Sequence, residues 1–85
     1  MPDEDEAIGA RAREAREQRG FSQEQVATAL KISRTSLTRA EQGIRKITAV
    51  ELKGLANFLG IKADSLLGDY RPLSAGKDNP RKAHP

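Results

Sequence analysis

Two predicted helices of this chain are joined by only two residues, and this short joint limits the folds that are open to the sequence. Lys31 and Ile32 alone separate the segment 22–30 from the segment 33–42. Each segment begins with a serine, and an N-cap serine accepts a hydrogen bond from a first-turn backbone N–H. Two capped helices that are joined so closely must cross at a steep angle. The spacing therefore predicts a helix-turn-helix unit, whose second helix can enter the major groove.

The same type of start signal recurs further along the chain and extends the helical pattern. Thr48 has Glu51 three residues later, and Ser22 has Gln25, so both starts carry a capping box. An apolar residue precedes each of the three caps, which is typical of a hydrophobic staple. No segment alternates apolar and polar residues with period two, so an all-α fold is expected. The predicted helices span residues 7–19, 22–30, 33–42, 48–59 and 63–67.

Charge divides the 85 residues into three parts. Residues 1–6 carry a net charge of −4 and are expected to be a disordered acidic N-terminus. Residues 7–70 carry +4 and are expected to form one domain, whereas residues 71–85 carry +3 and hold three prolines. This last part has almost no large apolar residue, so we expect a disordered basic tail. The acidic start does not resemble a signal peptide, and no apolar run could cross a membrane, so a cytoplasmic protein is expected.

The sequence lacks the residues that several types of catalytic and metal-binding site require. The chain has no cysteine, and its one histidine is His84, which argues against a thiolate metal site and a His-dependent catalytic triad. We therefore expect no enzyme activity, metal or cofactor. Aromatic residues are 4% of the chain, too few for a platform that stacks single-stranded nucleic acid. The basic excess of the central part is compatible with binding to nucleic acid but does not identify it, because many solvated surfaces carry a similar excess.

The second helix of the predicted unit has a polar outward face. Arg34 and Thr35 lie in its first turn, where side chains reach base edges in helix-turn-helix complexes, and Arg39 lies one turn further on the same face. An arginine can donate two hydrogen bonds to guanine, and a threonine can contact a thymine methyl group. These three are the main candidates for base contacts, and Ser36 and Thr38 are weaker ones. The alternative is a solvated charged face.

Several motifs together resemble the Cro/C1-type (XRE) helix-turn-helix family. They are Ser-Gln-Glu-Gln-Val-Ala at 22–27, Ile-Ser-Arg-Thr-Ser-Leu at 32–37, Ala-Glu-Gln-Gly at 40–43, and the closing segments 55–61 and 65–68. The resemblance covers about residues 8–68. It implies a compact five-helix bundle of the lambda-repressor-like kind, which binds operator DNA, usually as a two-fold dimer.

The resemblance also assigns roles to individual residues. Gln23 resembles a family glutamine at the start of the second helix, which contacts a phosphate and steadies a neighbour on the third helix. Ser33 is a further candidate phosphate contact. Arg45 and Lys46 are candidates because they follow Gly43 in the next loop, although each could equally be an exposed loop cation. Arg16 and Glu41 resemble an ion pair of the family that ties its first helix to the end of the third. The family often has glycine where this chain has Lys31. If the backbone of Lys31 adopts the left-handed conformation, the presence of a side chain there destabilises the fold by roughly 1–2 kcal/mol.

The resemblance places a dimer interface at Leu66, Leu67 and Tyr70, although Leu66 and Leu67 could instead close the core of the monomer. The leading hypothesis is a transcriptional repressor that binds a palindromic operator as a homodimer. One alternative is an antitoxin that binds a toxin and regulates its own operon. Another is the DNA-binding half of a switch that pairs a repressor with a metallopeptidase. Both alternatives add a protein partner.

Overall fold

The computed structural model describes residues 3–68, and these residues form five α-helices and no strand. The helices are α1 (Glu4–Gln18), α2 (Gln23–Leu30), α3 (Arg34–Glu41), α4 (Ala49–Leu59) and α5 (Ala63–Leu67). The all-α prediction is confirmed, and each predicted helix has a counterpart. Residues 71–85, predicted to be a disordered tail, lie outside the described residues.

The predicted caps explain where three of the helices begin. Ser22, Ser33 and Thr48 are the N-caps of α2, α3 and α4, and each side chain accepts a hydrogen bond from a backbone N–H of the first turn. The capping boxes that pair Ser22 with Gln25 and Thr48 with Glu51 are both present. Local hydrogen bonding therefore sets these starts.

Helix α1 begins three residues earlier than predicted. Asp3 accepts a hydrogen bond from the Glu6 N–H at 2.7 Å, and the Glu6 carboxylate accepts one from the Asp3 N–H at 3.2 Å. The prediction of a disordered stretch over residues 1–6 is thus wrong for residues 3–6. The acidic side chains that suggested a solvated tail form a capping box, and their negative charge suits the positive end of the helix.

All five helices contribute to the core, and α3 adds Leu37 to it while packing on α1 and α2. Three side chains of the core, Val26, Leu55 and Leu66, are almost completely buried. The residues that precede the three caps, Phe21, Ile32 and Ile47, pack against its edge. The other buried apolar residues are Ala12, Ala27, Leu37, Ala40, Ala56 and Leu59. Alanines at the helix contacts let these short helices approach one another closely.

Gly9 allows α1 to lie directly on the end of α3. A Cβ atom at this position would stand 2.8 Å from the carbonyl oxygen of Glu41 and closer still to that of Ala40. Both oxygens belong to backbone that cannot move aside without shifting a helix. The close contact of the two helices therefore depends on the missing side chain at Gly9.

No helix within residues 3–68 combines the length and the apolar character that a membrane span requires.

Candidate nucleic-acid interface

Helices α2 and α3 form the predicted helix-turn-helix, and Lys31 makes the turn between them. The backbone of Lys31 adopts the left-handed helical conformation, with φ 62° and ψ 40°. Its N–H donates to the Thr28 carbonyl at 3.1 Å, and the Ile32 N–H donates to the Ala27 carbonyl at 3.0 Å. These bonds satisfy two of the last four carbonyls of α2, and the chain then continues into Ser33, which caps α3. The turn is complete although a lysine occupies a position that favours glycine.

Helix α3 has one buried side and one exposed side. Leu37, Ala40 and Glu41 are buried against the rest of the domain. Arg34, Thr35 and Arg39, the main candidates for base contacts, are exposed. The structure therefore brings these three side chains to one solvent-facing surface, which we call the recognition face.

The two weaker candidates for base contacts lie deeper. Ser36 and Thr38 are half-buried. The Thr38 hydroxyl lies 2.9 Å from the Arg34 carbonyl and 3.1 Å from Gln23 Oε1, and it can donate to either. The Ser36 carbonyl accepts a hydrogen bond from Arg45. Both residues border the recognition face and also hold neighbouring groups in place.

Gln23, the first residue of α2, connects three side chains. Its Nε2 donates to Glu41 Oε1 at 3.0 Å. Its Oε1 faces the Thr38 hydroxyl and accepts a long hydrogen bond, 3.5 Å, from Arg34 Nε. A side chain predicted to contact phosphate thus also fixes the start of α2 against α3, on the same side as the recognition face.

Arg16 of α1 and Glu41 of α3 form a buried, bidentate ion pair. Arg16 Nε donates to Glu41 Oε2 at 2.8 Å, and Nη2 donates to Oε1 at 3.1 Å. A third arginine N–H donates to the Phe21 carbonyl at 2.9 Å. Hydrogen bonding to Glu41 raises the pKa of Arg16 although burial opposes the charge. Both charges are therefore satisfied within the protein, and the pair anchors the end of α3.

Arg45 has a different position from the one that the sequence suggested. Its guanidinium donates to the Ser36 carbonyl at 3.2 Å, to the Lys46 carbonyl at 3.1 Å and to Glu51 Oε1 at 3.0 Å. The expectation of a side chain free to contact phosphate is not met, because these bonds turn it back onto the loop. Arg45 instead fixes the α3–α4 loop to both of its helices.

Glu51 completes this connection. Burial alone would raise the pKa of Glu51, but hydrogen bonds from the Thr48 N–H and from Arg45 outweigh it and lower the pKa. The carboxylate thus caps α4 and neutralises Arg45 at the same time. The neighbouring Lys46 is exposed, so its charge is available at the surface.

The hydroxyl group of Ser33 can still donate a hydrogen bond to a ligand. Its hydroxyl oxygen accepts from the Ser36 N–H at 3.0 Å and the residue is exposed. A hydroxyl can accept and donate together, so the cap leaves its hydrogen free for an external acceptor.

The three residues predicted for a dimer interface have different positions. Leu66 is 1% exposed, so its assignment to an interface is wrong; it closes the monomer core instead. Leu67 is half-buried and lines a groove of about 430 Å³ together with Ile8, Ile47 and Leu52. Tyr70 lies outside the described residues.

Two arginines of α1 have contacts that the sequence analysis missed. Arg11 Nη1 lies 3.4 Å from the Leu66 carbonyl and 3.3 Å from the Leu67 carbonyl, so it caps the end of α5. Arg13 lies beside the start of α2. Neither position follows from a local pattern, because each depends on how α1 packs on a distant helix. No group of three His, Cys, Asp or Glu side chains within residues 3–68 could hold a metal ion.

The fold and the recognition face define a helix-turn-helix DNA-binding domain. A family model of the helix-turn-helix matches residues 13–66, which is more than half of the chain. The chain therefore belongs to the XRE-type helix-turn-helix family, and it is a DNA-binding transcriptional regulator by family and fold. Among curated proteins, no sequence matches this chain significantly.

Solved structures show the same relationship. The chain is similar to the restriction-modification controller protein C.AhdI from Aeromonas hydrophila, with 33% identity and a TM-score of 0.68 over 72% of this chain and 92% of that chain. It is similar to the clp gene regulator ClgR from C. glutamicum, with 27% identity and a TM-score of 0.75 over 79% and 87%. A third similar structure is ComR from Streptococcus suis, with 32% identity and a TM-score of 0.70 over 85% of this chain and 24% of that one.

Proposed function

We propose that this protein is a repressor that binds a palindromic operator as a homodimer, with α3 of each subunit in the major groove. The observation that carries the proposal is the recognition face, Arg34, Thr35 and Arg39, on a helix that the buried Arg16–Glu41 pair holds in place. A repressor that covers a promoter needs DNA binding and no further activity. The helix-turn-helix module, matched over residues 13–66, supplies that binding.

The exposed residues of α3 suit base contacts. Arg39 and Arg34 can each donate two hydrogen bonds to the O6 and N7 atoms of guanine, and Thr35 can contact a thymine methyl group. A rigid helix strengthens such contacts because little side-chain or backbone freedom is lost on binding. The ion pair of Arg16 with Glu41 and the bonds of Gln23 supply this rigidity.

The residues around α3 suit phosphate contacts. Lys46 is exposed in the loop after α3, and the Ser33 hydroxyl at the start of α3 can still donate. Gln23 lies at the start of α2, where backbone N–H groups attract anions. These contacts position the protein on the duplex without reading its sequence. Arg45 supports them indirectly by fixing the loop that carries Lys46.

A dimer accounts for operator specificity. One helix-turn-helix contacts only a few base pairs, whereas two related by symmetry contact successive major grooves about 34 Å apart. The groove beside Leu67 has an apolar part formed by Ile8, Ile47 and Leu52, which supports an interface at this end of the domain. Charged residues also line the groove: Asp3, Glu4, Asp5 and Lys46. We propose that Leu67 and Tyr70 contribute to the interface. We expect this contact to be small and the dimer to assemble mainly on DNA.

Selection of genomic DNA on the purified 85-residue protein, followed by footprinting and sedimentation, tests this function. We expect a palindromic site, two half-sites protected, and two chains per saturated operator. The logarithm of affinity should fall steeply with the logarithm of salt concentration, by about 0.9 for each phosphate contact. Salt-independent binding would overturn the DNA-binding mode, and one chain per operator would overturn the dimer.

A further inference from the structure

An open cavity of about 500 Å³ lies beside the start of α2, at the edge of the recognition face. Arginines from two different helices, Arg13 of α1 and Arg34 of α3, line it together with Ser22 and Gln23. The buried Arg16 and the acidic Glu24 complete the lining. The cavity is thus a basic recess next to the residues that we expect to contact DNA.

The arginines that line the recess differ in how strongly they are paired with carboxylates of the protein. Arg16 is neutralised by Glu41 in the interior. Arg13 is paired with Glu17, Nε to Oε2 at 3.1 Å, but their side chains are 62% and 53% exposed. An exposed ion pair of this type contributes little, because water solvates both groups well without it. The guanidinium of Arg13 can therefore exchange Glu17 for a better anionic partner.

The recess also faces the path of the nucleic acid. Arg34 lines it and belongs to the recognition face. With α3 in the major groove, as proposed above, the DNA backbone beside the contacted bases would pass its opening. A phosphate at this opening would meet the Arg13 guanidinium from the α1 side. Arginine suits such a position because its planar donors match two phosphate oxygens.

We infer that Arg13 binds a backbone phosphate of the DNA and extends the interface from the helix-turn-helix onto α1. The inference rests on the proposed function, because it requires α3 in the major groove. It adds Arg13 to the residues that bind DNA, although Arg13 lies outside the helix-turn-helix and belongs to no motif. Glu24 on the rim opposes the phosphate charge, and the exposed Arg34 offsets it.

Salt dependence of operator binding tests the inference, with Arg13→Ala compared with Arg19→Ala. Arg19 is an exposed arginine at the end of the same helix, and it lines a different cavity. Removing one phosphate contact should lower the slope of log affinity against log salt by about 0.9 and weaken binding about fivefold to tenfold at 0.1 M salt. The loss should be equal on operator and scrambled DNA. Arg13→Lys should keep most of the slope.

The outcomes separate the inference from the proposed function. If the wild-type protein binds no DNA, the proposed function fails. If it binds and Arg13→Ala has the slope of Arg19→Ala, the Arg13 contact is overturned and the proposed function stands. A loss confined to the operator would also overturn it, because a phosphate contact does not distinguish sequences. Circular dichroism of each variant checks that the helices are intact.

Discussion

Glu41, at the end of α3, receives two hydrogen bonds from Arg16 of α1, at 2.8 and 3.1 Å, in a site where both side chains are buried. The same carboxylate accepts a third hydrogen bond, from Gln23 of α2. One acidic group thus joins the first three helices. It lies at the C-terminal end of α3, so its contacts fix the orientation of α3 and of the recognition face, Arg34, Thr35 and Arg39, relative to the rest of the domain.

Removing the carboxylate should destabilise the fold strongly. Glu41→Ala leaves the guanidinium of Arg16 buried without its partner, and breaking a buried pair in this way costs about 3–5 kcal/mol. Urea denaturation measures the loss. Glu17→Ala, which removes a carboxylate that is 53% exposed, is the matched control and should cost less than about 1 kcal/mol. Equal losses for the two variants would show that the pair does not anchor α3.

Gly9→Ala should also destabilise the protein, although glycine to alanine in a helix normally stabilises it. The usual gain is about 0.5–1 kcal/mol, because alanine loses less backbone entropy on folding. Here the added methyl group would collide with the carbonyl oxygens of Ala40 and Glu41. Overpacking of this kind costs about 1–3 kcal/mol or more. Thermal unfolding of the variant measures the net effect.

Gly54→Ala is the control for this change. Gly54 lies inside α4, and its added Cβ would stand 3.0 Å from a Leu30 methyl carbon. A side-chain methyl can move by a few tenths of an ångström, whereas a helix backbone cannot. We expect a melting temperature within a few degrees of the wild type for Gly54→Ala and a clear decrease for Gly9→Ala. A stabilised Gly9→Ala protein would contradict the close contact of α1 and α3.

The starts of the helices were predictable because caps are local. Ser22, Ser33 and Thr48 each bond to a backbone N–H within three residues, so sequence spacing alone identifies them. The box formed by Asp3 and Glu6 is equally local. It was missed because a cluster of acidic residues at a chain end also fits a solvated tail.

The residues around the recognition face were less predictable because their roles depend on tertiary contacts. An arginine two residues after Gly43 could contact phosphate or form an ion pair within the protein, and the sequence fits both. In the structure, Arg45 forms an ion pair with Glu51. Sequence spacing does not show that α4 brings a carboxylate to this loop. Arg13 shows the converse, since its exposed position beside α2 follows from the packing of α1 and not from any motif.

The pair of Arg45 with Glu51 should make stability depend on pH below neutrality. Burial opposes ionisation of Glu51, but hydrogen bonds from Thr48 and Arg45 lower its pKa below the ordinary value. A group with a lowered pKa stabilises the folded state above its unfolded pKa, about 4.3, and the contribution is lost as pH falls through the folded pKa. Unfolding free energies between pH 6 and pH 3 should decrease for the wild type.

Glu51→Gln isolates this contribution. Glutamine can still accept the hydrogen bond of the capping box, but it does not titrate. The variant should lose less stability than the wild type over the same pH range, and at pH 6 it should be the less stable of the two. Parallel pH curves for the two proteins would show that Glu51 contributes nothing to the pH dependence.

Arg39→Ala and Lys46→Ala should change DNA binding in different ways. Arg39 is exposed on the recognition face, so its loss should relax specificity, with a cost of about 1–3 kcal/mol on the operator and a smaller one on scrambled DNA. Lys46 is exposed in the loop after α3 and can reach phosphate, so its loss should weaken binding almost equally on both duplexes. Titrations at one fixed salt concentration give the four affinities. An unchanged ratio of operator to scrambled affinity in Arg39→Ala would remove Arg39 from the base-reading residues, and a changed ratio in Lys46→Ala would make Lys46 more than a phosphate contact.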